Sequence, residues 1–130
     1  MTVRECIDQV DKMKPNQYTE EDKIRWISEV EHSVFYDIIV THRRPWWRHK
    51  KDEMVRYSPY TTEDMDKELI APFPYDSLYT AYLKMKIDEE NQETQRYNVS
   101  ATLFNAYLDE FAKHINKTRM PVGRNAYHIY

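Results

Sequence analysis

The chain has 130 residues and a formal net charge of −3, with 41% hydrophobic and 32% charged residues. This length is typical of one domain with a single core, and the charges leave no apolar run that could span a bilayer. The sequence contains one glycine, Gly123, which excludes glycine-rich phosphate-binding loops and the many tight turns of a β-sandwich. Composition therefore favours a mainly helical domain that does not insert into membranes.

The N-terminal region mixes charged and apolar residues from Met1 to Val10. This is not the layout of a secretory signal, so we expect a protein that stays in the cytoplasm of the cell that makes it. Cys6 is the single cysteine, which excludes an intramolecular disulfide or a thiolate zinc site. Its position within an apolar helical pattern predicts a buried thiol without reactivity.

Two amphipathic helices are predicted in the first third of the chain. Thr2 can cap the first helix and Pro15 ends it, which predicts a helix over about 3–14. Thr19 is followed by three acidic residues and opens a longer helix over about 20–41. Apolar residues on more than one stripe of this second helix predict packing on two sides. Packing within the domain is the favoured interpretation, and packing against a neighbouring subunit is the alternative.

Residues 42–59 have no sustained helical period and predict an irregular loop or a short hairpin. Within it, the nine positions 43–51 carry a charge of +5, which leaves −8 for the rest of the chain; the basic residues are Arg43, Arg44, Arg48, Lys50 and Lys51. The candidate interface residues are the arginines and two neighbouring tryptophans: Arg43, Arg44, Trp46, Trp47 and Arg48. They could bind nucleic acid, insert into a pocket of a protein partner, or pack locally. An acidic body repels phosphate, so the protein interface is favoured.

The second half of the sequence predicts a helical hairpin. A short helical stretch over about 62–69 leads to a helix over about 75–91. The last helix carries an apolar seam with spacings of four, three, four, three and four: Tyr97, Ala101, Phe104, Leu108, Phe111 and Ile115. A coiled coil between chains is the alternative, but three heptads are short and an antiparallel partner lies just upstream. The all-α fold expected is thus a bundle of four to five helices ending in a long hairpin.

Residues 122–130 have no period and predict an extended tail after a single domain over 1–121. Chain ends dangle unless a contact holds them. The tail ends in large apolar and aromatic groups, which favours docking on a partner; its candidate docking residues are Arg124, Tyr127, His128, Ile129 and Tyr130.

No catalytic, cofactor-binding or metal-binding constellation is predicted. The five histidines show no metal-ligand spacing, and the sequence has no nucleophile elbow, phosphate-binding loop or Cys-x-x-Cys motif. The acidic residues fall on solvated helix faces. We therefore predict a non-enzymatic protein that works without a cofactor by binding other subunits.

Several segments resemble small structural proteins of phages and prophages of Gram-positive bacteria, and look like the head-tail connector, or adaptor, proteins of tailed double-stranded DNA bacteriophages. The resemblance extends over about three quarters of the chain. The segments that carry it read KPNQY (14–18), EEDKIRWI (20–27), DKELIAP (66–72), PYD (74–76), YN (97–98), LFNAY (103–107) and NKTRMP (116–121). Residues 42–57 match that family least.

The resemblance implies a virion protein of the phage neck, assembled in the cytoplasm of the bacterial host. Such a protein forms a homo-oligomeric ring, typically a dodecamer, beneath the portal protein, extends the DNA channel, and receives the next neck or tail protein. The C-terminal tail would reach the portal, and DNA would pass without sequence-specific binding. The alternatives are a head-completion or tail-terminator subunit, for which more β-structure is expected, and a small DNA-binding regulator acting through the basic loop.

Overall fold

A computed structural model of the chain describes residues 1–39, 42–43, 58–118 and 120–121. Within these ranges the protein contains four α-helices, a π-helix, a 3-10 turn and one pair of two-residue strands. In chain order they are α1 (Val3–Met13), α2 (Glu20–Ser33), the π-helix (Val34–Ile39), β1 (His42–Arg43), the 3-10 turn (Thr62–Asp64), α3 (Ser77–Glu90), α4 (Thr94–Thr118) and β2 (Met120–Pro121). The predicted all-α bundle with a long C-terminal helix is confirmed.

The first two helices begin at the threonines that the sequence indicates. The Thr2 hydroxyl accepts from the Glu5 amide at 3.2 Å, and the Glu5 carboxylate accepts from the Thr2 amide, which completes a capping box. The Thr19 hydroxyl accepts from the Asp22 amide at 3.2 Å. Each cap satisfies backbone donors that the first turn of a helix leaves free.

The second helix differs from its predicted extent of 20–41, because the α-helical part ends at Ser33 and a π-helix follows. Val30, Val34 and Ile38 are all buried and follow one another at spacings of four. On a regular α-helix a repeat of four drifts away from one face, whereas the wider π turn keeps these side chains on the core side.

The helices run alternately up and down. At one end of the bundle, Lys14 after α1 forms an ion pair with Asp88 near the end of α3, and Tyr18 before α2 donates a hydrogen bond to Asn91 after α3. The other end holds the starts of α1 and α3 and the ends of α2 and α4. The core lies mainly among the first three helices, and α4 covers the outer side of α3.

The predicted hairpin of the last two helices is confirmed. Phe111 and Ile115 of the apolar seam are buried, and Phe104 and Leu108 are half-buried against the core. Tyr97 and Ala101, at the start of the seam, are half-buried. The rings of Phe104 and Tyr82 meet edge to face at 5.0 Å. Gln92 makes the connecting turn with a φ of 59°, a left-handed conformation usually taken by glycine at this position after a helix. None of the described helices has the length and apolar character required to traverse a bilayer.

Candidate protein-binding site

Most of the residues predicted to bind a partner lie outside the described ranges. This applies to Arg44, Trp46, Trp47 and Arg48 of the loop, and to all five candidate docking residues of the tail: Arg124, Tyr127, His128, Ile129 and Tyr130. Arg43 is described through its backbone, as the second residue of β1. The structure defines the described residues next to these two segments, which are His42–Arg43 and Met120–Pro121.

The strand pair joins the start of the loop to the start of the tail. β1 and β2 are antiparallel, with His42 opposite Pro121 and Arg43 opposite Met120. β1 forms the first two residues of the predicted loop 42–59, and β2 ends at the residue before the predicted tail 122–130. Neighbouring strands lie roughly 5 Å apart and each of these strands has two residues, so Arg43 and Pro121 lie close together although the two antiparallel strands point in opposite directions.

This strand pair lies at the end of the bundle where α4 finishes. β1 contacts the π-helix, β2 contacts α4, and the π-helix contacts α4. The turn over 72–76, which precedes α3, is at the same end: Tyr75 stacks on His114 of α4 with ring centroids 4.6 Å apart. We call this end of the molecule, made of the strand pair, the last two turns of α4 and residues 72–76, the C-terminal pole.

Phe73 is an exposed aromatic residue of the C-terminal pole that was not among the predicted interface residues. Its side chain is 84% exposed, although a phenylalanine gains from burial. The residues on either side are Pro72 and Pro74, and their fixed backbone angles limit how the segment can fold back onto the core. An aromatic residue between two prolines was the signal available in the sequence.

A buried carboxylate holds the segment that returns from the loop. The Glu31 side chain on α2 is 0% exposed. Its Oε2 accepts from the Tyr60 hydroxyl and from the Ile70 amide, each at 2.9 Å. The backbone amide of the same Tyr60 donates to the hydroxyl of Ser28, which is also on α2, at 2.9 Å. Both ends of the segment 60–70 are thus tied to α2.

Tyr79 of α3 completes this arrangement. Its buried hydroxyl donates to Glu31 Oε1 at 2.6 Å and accepts from the Ala71 amide at 2.9 Å. Burial raises the pKa of Glu31, while the hydrogen bonds from Tyr79, Ile70 and Tyr60 oppose that rise. Burial and the neighbouring Glu31 charge also raise the pKa of Tyr79. These groups are closed off from solvent, so they fix the position of a segment and have no access to a substrate.

A second buried acid joins three helices at the opposite end of the bundle. Asp88 of α3 is 0% exposed and forms an ion pair with Lys14 at the end of α1. The Ser100 hydroxyl of α4 donates to Asp88 Oδ2 at 2.7 Å. A charge buried with a cation and a hydroxyl is the usual way to keep an acid inside a protein. Asp88 is therefore a structural link between α1, α3 and α4.

Cys6 is buried, as predicted, and burial raises the pKa of its thiol. In the described part of the chain, no group of three or more His, Cys, Asp or Glu side chains could hold a metal ion.

Comparisons with protein-family models, curated proteins and solved structures found no match. Function is therefore inferred from the residues and from the C-terminal pole.

Proposed function

We propose that this protein is a structural subunit that binds other protein subunits through the C-terminal pole, as a head-tail connector in the neck of a tailed bacteriophage. One observation carries the proposal. The strand pair places Arg43 of the candidate interface loop close to Pro121, the residue before the candidate docking tail. Two segments selected separately in the sequence can thus act on one partner surface.

Such an arrangement favours tight docking of short segments. Once the loop contacts a partner, the tail is held nearby, so its own binding becomes an intramolecular step with a high effective concentration. Trp and Arg are the residue types that most often dominate binding energy at interfaces, and the loop supplies both. The exposed Phe73 adds an apolar anchor at the same pole.

The charge distribution suits a subunit of a channel for DNA. Positions 43–51 of the loop carry five basic residues and a charge of +5, so the rest of the chain carries −8 and the total is −3. An acidic body repels the phosphate backbone and lets DNA slide past. In the proposed ring, the pole binds the portal protein, copies of the chain surround the channel, and the far side receives the next neck or tail protein.

The direct test is electron microscopy of purified protein mixed with purified portal rings of the same phage. We expect a second, symmetric ring at one end of the portal, with the C-terminal pole facing it. Absence of that ring at low and at high salt would overturn the connector proposal. Strong salt-dependent binding to duplex DNA by the protein alone would instead favour the regulator.

Variants of the pole test which segments dock. Deleting residues 122–130 should abolish incorporation into the particle and leave the helical circular dichroism spectrum unchanged. Replacing both tryptophans, Trp46→Ala and Trp47→Ala, or Phe73→Ala, should weaken incorporation less.

Met13→Ala is the matched control for Phe73→Ala, because Met13 is 55% exposed at the opposite end of the bundle. It should leave incorporation unchanged. Normal particle assembly without the tail would contradict docking through the pole.

A further inference from the structure

The outer face of α4 has a composition that a solvent-facing helix does not need. Between Glu93 and Asp109, Arg96 is the single charged residue, in a chain that is 32% charged overall. The seam that packs on α3 explains the apolar residues on the inner side. It does not explain the lack of charge on the outer side, since exposed helix faces normally carry charged residues.

Exposed apolar residues form a stripe on this outer face. Val99 is 63% exposed, Leu103 is 47% exposed, and Ala106 is also exposed. They follow one another at spacings of four and three, which places them on one side of the helix. That side lies opposite the seam. Depletion of charge around exposed apolar side chains is the compositional mark of the centre of a protein interface.

Opposite charges flank the stripe symmetrically. Arg96 lies seven residues before Leu103 and Glu110 lies seven residues after it, and both are exposed. All of these residues continue the same alternation of three and four: Arg96, Val99, Leu103, Ala106 and Glu110. If two α4 helices meet antiparallel with their two Leu103 side chains at the centre, Arg96 of each copy faces Glu110 of the other. The stripe is therefore complementary to itself in charge and in apolar character.

We propose that α4 is the contact surface of a homodimer in solution, in which two α4 helices pack antiparallel about a two-fold axis at Leu103. A two-fold contact of this kind closes on itself, so it differs from the contacts that build a ring. It uses a helix face away from the C-terminal pole and does not rest on the proposed function.

The size of the stripe predicts a weak dimer. Three apolar residues per copy cover far less than the roughly 1,200–2,000 Å² of a stable interface. Association should therefore depend on concentration over the micromolar to millimolar range. Sedimentation equilibrium over that range is the measurement, and a wild-type protein that stays monomeric throughout would overturn the proposal.

Substitutions in the stripe identify the surface. Leu103→Asp should weaken the dimer by about a hundredfold, because it places two like charges at the two-fold axis. Asn105→Asp adds the same charge to an exposed position of α4 outside the stripe, and should change the dissociation constant less than about twofold. A dimer that resists Leu103→Asp would use another surface and would refute the assignment. Unchanged circular dichroism confirms that each variant folds.

Charge exchange tests the antiparallel direction. Arg96→Glu and Glu110→Arg should each weaken the dimer by about tenfold, since each places like charges opposite one another at two symmetric points. The double variant should recover wild-type affinity. If the two single effects simply added in the double variant, Arg96 would not face Glu110 and the proposed direction would be wrong.

Cysteine cross-linking gives an independent geometric test. Leu103→Cys should form a disulfide-linked dimer on mild oxidation because the two side chains meet at the axis. Lys113→Cys should not, because an antiparallel pairing puts the two copies of this exposed position at opposite ends. The wild-type protein is the background control, as Cys6 is buried. Efficient cross-linking through residue 113 would indicate a parallel pair and overturn the proposal.

Discussion

The inside of the bundle contains buried polar side chains, whereas the outer face of α4 contains exposed apolar ones. Inside, Glu31 and Asp88 are acidic residues that are fully buried. Hydroxyl and amide groups donate to both oxygens of Glu31, whereas Asp88 is held by one hydroxyl and the ammonium group of Lys14. On the outer face, Val99 and Leu103 are apolar residues left exposed. A polar group inside is tolerated when its partners are provided by the fold. An apolar group outside has no such partner within the described part of the chain, which points to a contact with another molecule.

Removing the Glu31 carboxylate should have the largest effect on stability. Glu31→Ala leaves three buried donors without their acceptor, those of Tyr60, Ile70 and Tyr79, and should lower the free energy of unfolding by about 3 to 4 kcal/mol. Urea denaturation followed by circular dichroism measures this change.

Glu29→Ala is the control for Glu31→Ala. Glu29 lies on the same helix, but its carboxylate is exposed and its ion pairs with Arg25 and Lys86 are long, at 3.8 and 4.0 Å. It accepts one solvent-exposed hydrogen bond, from the Tyr82 hydroxyl at 3.0 Å. A loss below about 1 kcal/mol is expected. Similar losses for the two variants would mean that burial does not increase the contribution of the Glu31 hydrogen bonds to stability.

Removing the Asp88 carboxylate should have the second-largest effect on the free energy of unfolding. Asp88→Ala leaves Lys14 and Ser100 without their buried partner, which should cost about 2 to 3 kcal/mol because Lys14 is partly exposed and can recover hydration. Lys14→Met should cost more than Asp88→Ala, because it leaves the carboxylate of Asp88, which is 0% exposed, without its cation. The same urea titration compares the two variants. A smaller loss for Lys14→Met would contradict the view that Lys14 compensates a charge buried at Asp88.

Titration of Glu31 should make the stability of the protein depend on pH. This effect should be smaller than those of the substitutions above, and its sign follows from the pKa of Glu31. Burial raises the pKa of Glu31 above its ordinary value of 4.5, so the folded protein binds this proton more tightly than the unfolded chain. Tighter binding of this proton stabilises the folded state. This stabilisation has its full value below pH 4.5 and is lost as the pH rises through the raised pKa of Glu31.

Glu31→Gln removes this titration while keeping the shape of the side chain. The stability of the wild type relative to Glu31→Gln should fall as the pH rises from 4.5 to neutrality. Urea titrations at several pH values measure it, and the other ionisable groups cancel in the difference. A difference that grows with pH would mean that the carboxylate has a lowered pKa.

Much of the helical framework was predictable because its signals are local. Thr2 and Thr19 mark helix starts through their caps, and the seam residues of α4 repeat regularly. The π-helix was not predicted, although the spacing of Val30, Val34 and Ile38 contained the signal. Local patterns fix the helices and their buried sides, so the fold class followed from the sequence.

The candidate site was less predictable because it depends on contacts between distant residues. Two-residue strands have no period, so the pairing of His42 with Pro121 left no signal in the sequence. The prediction that the acidic residues lie on solvated helix faces is wrong for Glu31 and Asp88, which are buried. Glu31 follows the apolar spacing of Ile24, Ile27 and Val34, a signal of a core-facing position that the prediction did not use. Its partners Tyr60 and Tyr79 come from other parts of the chain and could not be predicted. The loop and tail predictions lie largely outside the described residues and stay predictions.

The smallest change in stability is expected on the outer face of α4. Leu103→Gln should alter the free energy of unfolding by less than about 0.5 kcal/mol when measured at low protein concentration, because the side chain is already half exposed in a single copy. Ile115→Val, a buried position on the same helix, removes one methylene group and should nevertheless cost about 1 kcal/mol. The order of these two values is decisive. If Leu103→Gln were the more damaging substitution in the monomer, another part of the same chain would already cover Leu103, and the contrast between a satisfied interior and an unpartnered outer face would no longer hold.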